Sequence, residues 1–250
     1  MDLFGLIGKS LSHSFSKKYF TNKFEEEKIH AQYELFPLES IDLLTELIFN
    51  NPNLKGLNVT IPFKQEVIHF LDEIDVSAKM IGAVNTITIR HINGKSILRG
   101  YNTDAVGFEK TLKKLNPNPV GLRALILGTG GAAQAVRYVL RKNGVLFRSV
   151  SRINLKSDQL TYHLITASII SKYKLIINTT PVGMYPKIDE APEIPYHLLT
   201  KDHCLIDLIY NPCETLFLKK GRENGAITVN GIEMFENQAE EAWTIWTQNT

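Results

Sequence analysis

The chain has 250 residues, 44% hydrophobic and 22% charged, with a formal net charge of +2. This balance fits a globular chain with one large or two modest cores, and it excludes a disordered or low-complexity chain and any bias toward polyanions. Two cysteines, Cys204 and Cys213, cannot build a disulfide framework, and no zinc spacing accompanies them.

Both cysteines fall in segments that read as core or near-core, which suits a reduced, cytoplasmic protein. No apolar run reaches membrane length, and the N-terminus opens on a strand-like run at 3–7 rather than a basic leader. The expected partners are small molecules, with no nucleic acid, no membrane and no metal. The oligomeric state, monomer or homodimer, has no signature in the sequence.

In chain order, 3–7 reads as a strand, 16–27 as a helix, 31–36 as a strand, 41–49 as a helix, 54–60 as a strand and 64–71 as a helix. This alternation predicts a mainly parallel sheet covered by helices. Residues 83–90 and 91–98 depart from it. They are β-rich runs around Asn93-Gly94, a hairpin signal, so this part of the sheet is expected to be antiparallel. A helix over 104–115 then runs into Asn116-Pro117-Asn118-Pro119, which marks a domain boundary. Beyond it come strands at 122–127, 145–150, 174–178 and 205–209, a helix over 215–224 closed by Gly225, a last strand, and a final helix over 234–246.

The run 122–127 leads into Gly128-Thr129-Gly130-Gly131-Ala132-Ala133 and then a helical stretch at 134–140. A strand, G-x-G-x-x-A and a helix give a dinucleotide a tight turn, close backbone approach to the pyrophosphate and a helix N-terminus facing the anion. The fold class expected is therefore α/β with two domains. A mainly parallel α/β substrate domain spans 1–115, a Rossmann-type dinucleotide-binding domain spans 119–231, and the C-terminal helix at 232–250 packs back on the first domain.

NAD-binding folds usually place a carboxylate about 20 residues after the glycines, to accept from the ribose 2′-hydroxyl. Here the second nucleotide-domain strand ends in Ser151-Arg152, with Lys156 following and no carboxylate before Asp158. A hydroxyl and a guanidinium suit a 2′-phosphate, so the cofactor expected is NADP.

Two polar segments of the first domain carry candidate chemistry. In Asn58-Val59-Thr60-Ile61-Pro62-Phe63-Lys64, the lysine opens the next helix. In Gly100-Tyr101-Asn102-Thr103-Asp104, the aspartate sits at a helix N-terminus. Each alone reads more readily as structural: a Pro-containing turn with an exposed lysine, and an N-cap aspartate. They stand with Gly8-Lys9-Ser10-Leu11-Ser12-His13-Ser14-Phe15-Ser16, Gly82-Ala83-Val84-Asn85-Thr86, Asn178-Thr179-Thr180-Pro181-Val182-Gly183-Met184 and Gln238. In this order around the glycine fingerprint, the segments resemble the shikimate dehydrogenase family over essentially the whole chain.

The resemblance implies reversible NADP-linked reduction of 3-dehydroshikimate to shikimate, a step of aromatic amino-acid and chorismate biosynthesis. By position it gives Ser14 and Ser16 the substrate carboxylate, with a phenolic contact from Tyr210. Thr60, Asn85 and Gln238 fall on the ring hydroxyls, and Lys64 and Asp104 form the catalytic pair. On the cofactor side it implies Gly128, Gly130, Gly131, Ala132, Ser151, Arg152, Thr179 and Gly231. Either Lys64 moves the proton while Asp104 orients it, or Asp104 is the base and Lys64 the electrostatic stabiliser.

The chain departs from the family pattern at Glu233, where many relatives carry glycine, and at Ile153, where threonine is common. One alternative is a quinate/shikimate dehydrogenase of looser substrate and cofactor choice. Another is a dinucleotide-sensing regulator, which would have no need of both Lys64 and Asp104. His30, His69, His91, His163, His197 and His203 read as surface or capping residues. His13 reads as a pocket or structural residue.

Overall fold

The chain builds two six-stranded sheets, one in each of two units: 1–103 with 238–250, and 104–237. The structure, a computed structural model, describes residues 1–11, 14–153 and 159–248.

The first unit contains β1 (Asp2–Gly8), α1 (Ser16–Glu26), β2 (Ala31–Pro37), α2 (Leu44–Asn50), β3 (Leu54–Val59), β4 (Glu73–Ile74), α3 (Val76–Ile81), β5 (Thr86–Ile92) and β6 (Lys95–Tyr101). The sheet order is β2-β1-β3-β5-β6-β4. β1 runs parallel to β2 and β3, while β5 runs antiparallel to both β3 and β6. The hairpin turns at Asn93 and Gly94, whose φ of 50° and 76° are what a two-residue turn with the twist of the strands requires.

β1 is apolar on both faces because both are covered. Leu3 and Ile7 enter a core with Leu54, Leu57, Val59, Val67 and Ile87. Phe4 and Leu6 enter an aromatic core with Phe20, Phe24, Tyr33, Ala239, Ala242 and Trp246. Trp246 is 1% exposed, donates its indole N–H to Ile87 O at 2.9 Å, and lies over Gly56, where any Cβ would collide with the indole ring. Residues 238–248 of the last helix therefore complete the core of the first unit.

The helix expected at 64–71 is instead a run of turns followed by a 3-10 helix, Glu66–Phe70. Its turns close through i→i+3 bonds, Ile68 N–H to Gln65 O and Leu71 N–H to Ile68 O, the pattern of a 3-10 rather than an α turn. Lys64 thus sits in a turn, not at a helix start. β4 and α3, which lack a clear periodic signal, follow it. Asp75 caps α3 by accepting from the Ser77 N–H at 2.9 Å.

The second unit contains α4 (Asp104–Leu115), β7 (Arg123–Leu127), α5 (Gly131–Lys142), β8 (Leu146–Ser151), β9 (Gln159–Thr161), α6 (Ala167–Lys172), β10 (Leu175–Asn178), β11 (Cys204–Asp207), α7 (Leu216–Glu223), β12 (Ile227–Val229) and the start of α8 (Ile232–Gln248). All pairings are parallel, in the order β12-β11-β10-β7-β8-β9. The order reverses between β7 and β10, the switch point where open α/β sheets bind ligands.

α4 groups with this unit, whereas the sequence reading places it in the first domain and the boundary at 116–119. The reason is its contact with α5. Glu109 takes ion pairs from Lys142 at 2.8 Å and Lys113 at 3.0 Å, and an amide bond from Asn143 at 3.2 Å. Against the cost of burial, these partners hold Glu109 down at about 2.

Candidate active site

Strand direction alone gathers most of the first unit's candidates. β1, β3 and β6 end at the edge where β5 begins, so the segments after Gly8, Val59 and Tyr101 and before Thr86 share one sheet edge. Ser14, Ser16, Thr60, Lys64 and Asn85 all lie on those segments, and Gln238 joins them from α8.

Asn85 is the centre of this edge and is 2% exposed. Its Nδ2 donates to Thr103 Oγ1 at 3.0 Å and to Gln238 Oε1 at 3.2 Å, and its Oδ1 accepts from the Thr103 N–H at 2.7 Å. Beneath it, the Tyr33 hydroxyl donates to Asn58 Oδ1 at 2.8 Å, and Asn58 Nδ2 reaches Asn85 O and Thr86 Oγ1 at 3.3 and 3.2 Å. With both polar atoms of Asn58 and of Asn85 tied to neighbours, these two amides are set in orientation before any ligand arrives. Tyr33, Asn58, Thr86 and Thr103 escaped the sequence reading as supports, because buried side-chain pairing between distant strands leaves no local pattern.

The Thr60 N–H donates to Ile7 O at 2.9 Å and Thr60 O accepts from the Phe63 N–H at 3.0 Å, fixing the turn that carries Lys64. Lys64 O accepts from the Val84 N–H at 2.7 Å, which ties that turn to the segment leading to Asn85. Ser14 Oγ accepts from the Ser16 N–H at the start of α1, and Ser16 is buried. Ser12 and His13 lie outside the described residues. Asp104 is a buried carboxyl in the first turn of α4, where the helix dipole favours an anion.

In the second unit the glycine loop follows β7 at the switch point. Gly128 has a φ of 115°, and a Cβ there would stand 2.6 Å from Thr179 Oγ1. Both conditions demand glycine. Gly130 caps α5 with open space where its Cβ would be, and Gly131 and Ala132 open the helix, leaving backbone N–H groups for a pyrophosphate. Thr179 follows β10, and its hydroxyl donates to Leu127 O at 2.6 Å. The cradle fits a dinucleotide.

At the end of β8, the Ser151 hydroxyl donates to Ile153 O and accepts from the Ile153 N–H, at 2.6 and 3.2 Å. The resulting turn presents Arg152 to solvent. Lys156 and Asp158 lie outside the described residues. Tyr210 is half-buried, its ring 4.8 Å from that of Phe235. Gly231 is needed for close approach, because a Cβ would collide with Leu208 O. Glu233 turns its carboxylate to Lys114 Nζ, 2.8 Å away, so its charge is met by a cation on α4.

Two expectations are corrected. Cys213 is exposed rather than near-core, because β11 ends at Asp207 and Cys213 lies in the loop before the Thr215 cap of α7. His203 is buried rather than on the surface, yet it does cap: its ring bonds Ile170 O in the last turn of α6. The Thr200 N–H donates to its Nδ1 at 2.9 Å, so Nε2 carries the proton and donates to Ile170 O at 3.0 Å. Burial pushes the Cys204 thiol up to about 11. Among the described residues, no three His, Cys, Asp or Glu side chains gather as a metal site, and no helix is long and apolar enough to cross a membrane.

Hydride chemistry asks a fold for a loop that can hold a pyrophosphate and for a fixed array of donors and acceptors around a proton-transfer group. One unit supplies the first and the other the second, which places this chain among the dinucleotide-dependent oxidoreductases. The profile of the shikimate dehydrogenase substrate binding domain matches residues 6–87. The chain is 41% identical to a Clostridium beijerinckii protein named shikimate dehydrogenase (NADP(+)), over 99% of this chain and 93% of the relative. The shikimate dehydrogenase structure from Aquifex aeolicus superposes with a TM-score of 0.88 at 35% identity, covering 99% of this chain and 93% of that one. One from Thermus thermophilus, solved with NADP(H) and shikimate, gives 0.84 at 28% identity, covering 99% and 94%. The chain belongs to the shikimate dehydrogenase family.

Proposed function

We propose that this chain catalyses the reversible NADPH-dependent reduction of 3-dehydroshikimate to shikimate. Residues 1–103 with the end of α8 serve the substrate, and the unit from β7 onward serves NADP. The observation that carries the reading is buried Asn85 bonded to half-buried Gln238, both tied to Thr103, at the sheet edge that also bears Lys64. A small polyhydroxylated acid needs such preset polar partners, because each one left unmatched in a buried site is heavily penalised.

In this reading Ser14, Ser16 and Tyr210 hold the carboxylate, and Thr60, Asn85 and Gln238 the ring hydroxyls. The N–H groups around Gly128, Gly130, Gly131 and Ala132 hold the pyrophosphate, Ser151 and Arg152 the 2′-phosphate, and Thr179 and Gly231 the nicotinamide end. Bound NADPH supplies the hydride. Negative charge then gathers on the 3-oxo oxygen, and Lys64 Nζ donates the proton that quenches it, taking it back in the oxidation. Asp104 has in this reading the part of orienting Lys64. Two free cysteines suit a cytoplasmic setting, and the protein works as a monomer or homodimer.

The test is nicotinamide absorbance with purified protein, pairing shikimate or quinate with NADP or NAD. Rapid reduction of NADP with shikimate alone is expected. Comparable rates with quinate or NAD would replace the reading with a quinate/shikimate dehydrogenase, and no turnover with any pair would refute it.

A further inference from the structure

Asn178 ends β10 and Asp207 ends β11, facing each other across the parallel ladder. Asp207 Oδ1 accepts from Asn178 Nδ2 and from the Ile209 N–H, both at 3.0 Å. Its other oxygen accepts from the Thr215 hydroxyl at 2.6 Å. Asn178 Oδ1 in turn accepts from the N–H and the hydroxyl of Thr180 at 3.0 and 2.6 Å, and its Nδ2 also reaches Val182 O at 3.3 Å. One fully buried carboxyl therefore ties the loop after Asn178, which carries Thr179, to the loop after Asp207, which carries Tyr210.

Burial pushes the Asp207 carboxyl up to about 7, against the pull of Thr215, Ile209 and Asn178. Such a group works against stability once ionised. An apolar residue in its place would strand the Ile209 N–H and an Asn178 amide hydrogen without that acceptor. Neither the motif nor the relatives' names assign it a role.

We infer that Asp207 is a positioning residue. By sharing Oδ1 between the Asn178 amide and the Ile209 N–H, it sets the spacing between the cofactor contact at Thr179 and the substrate contact at Tyr210. This rests on the roles proposed above for those two residues. Loosening the tie misplaces the reacting groups, and a shift of about 1 Å costs on the order of 10²-fold in rate.

Three variants separate positioning from mere support. Asp207→Ala removes every contact of the carboxyl. Asp207→Asn keeps an oxygen for the two N–H donors, and its NH₂ donates to Thr215, whose hydroxyl reverses. Thr215→Val removes only the second oxygen's contact and the α7 cap. Steady-state kinetics with shikimate and NADP are run where circular dichroism shows all proteins folded. Asp207→Ala is expected to lose kcat on the order of 10²-fold and to raise both KM values. Asp207→Asn is expected to recover kcat to within about tenfold, while Thr215→Val lowers the melting temperature and keeps kcat.

NADPH fluorescence titration gives a readout that needs no turnover, with Kd weakened in Asp207→Ala and unchanged in Thr215→Val. If the unmodified chain fails to oxidise shikimate, the proposed function falls while this titration still decides the positioning. If Asp207→Ala does not fold, Asn178→Ala cuts the same tie and is expected to show the same losses. Wild-type kcat and NADPH affinity in the tie-cutting variant, or equal impairment in Thr215→Val, overturn the inference.

Discussion

Raising the pH across neutrality should cost this protein stability through one group, Asp207. The folded carboxyl titrates at about 7, against an ordinary value of 3.8. Between those values the folded chain holds a proton that the unfolded chain has released. Stability from this group is complete below about 3.8 and is lost as pH rises through about 7. From about pH 5.5 to about pH 8.5 the folded state gives up its proton over some 1.5 units of unmatched titration, which at 1.36 kcal/mol per unit amounts to ~2 kcal/mol. The groups facing the carboxyl are Asn178, Thr215, the Ile209 N–H and Tyr196, a phenol that burial and Asp207 itself push up. Asp207→Asn mimics the protonated acid and has no such titration. Urea unfolding of both proteins at the two pH values should show the variant gaining about 2 kcal/mol on wild type at the higher one. Parallel curves would mean that Asp207 is ionised throughout, and the reasoning would be wrong.

Lys64→Ala should lower kcat at least about 10²-fold with much less change in substrate KM, and near-normal turnover would remove Lys64 from proton transfer. Arg152→Ala should raise KM for NADP and leave that for shikimate alone; an unchanged NADP KM would detach the guanidinium from the 2′-phosphate. Trp246→Ala empties the aromatic core of the first unit and should cost about 3–5 kcal/mol in urea unfolding, with a loss below about 1 kcal/mol showing that the core closes without it. Glu109, held at about 2, contributes stability that is present above its ordinary value of 4.5 and lost as pH falls toward about 2. Glu109→Gln should therefore flatten that acid limb of the unfolding midpoint, and an unaltered limb would show that the α4–α5 tie carries no titrating load.

Much of this architecture was legible because its signals are local. Asn93-Gly94 announced an antiparallel pair, and the glycine loop after β7 announced a dinucleotide fold, since each rests on backbone conformations that few residues adopt. The turn around Lys64 was misread as a helix because apolar spacing over so few residues does not distinguish α from 3-10 geometry. The placement of α4 escaped because it depends on Glu109 meeting Lys142, 33 residues away. His203 and Asp207 were opaque for a further reason. Polar residues read as exposed until their partners are known, and theirs come from other strands and loops.

The aromatic core built by α8 also orders events at the ribosome. Phe4, Phe20, Phe24 and Tyr33 are synthesised well before the Trp246 that covers them and the Gln238 that completes the amide pair. A nascent chain in which residues 238–248 are not yet made displays an open aromatic face and half of a polar site, the kind of surface that chaperones hold and that aggregates if left bare. Loss of residues 238–248 would thus uncover that aromatic face and break the amide pair in one stroke.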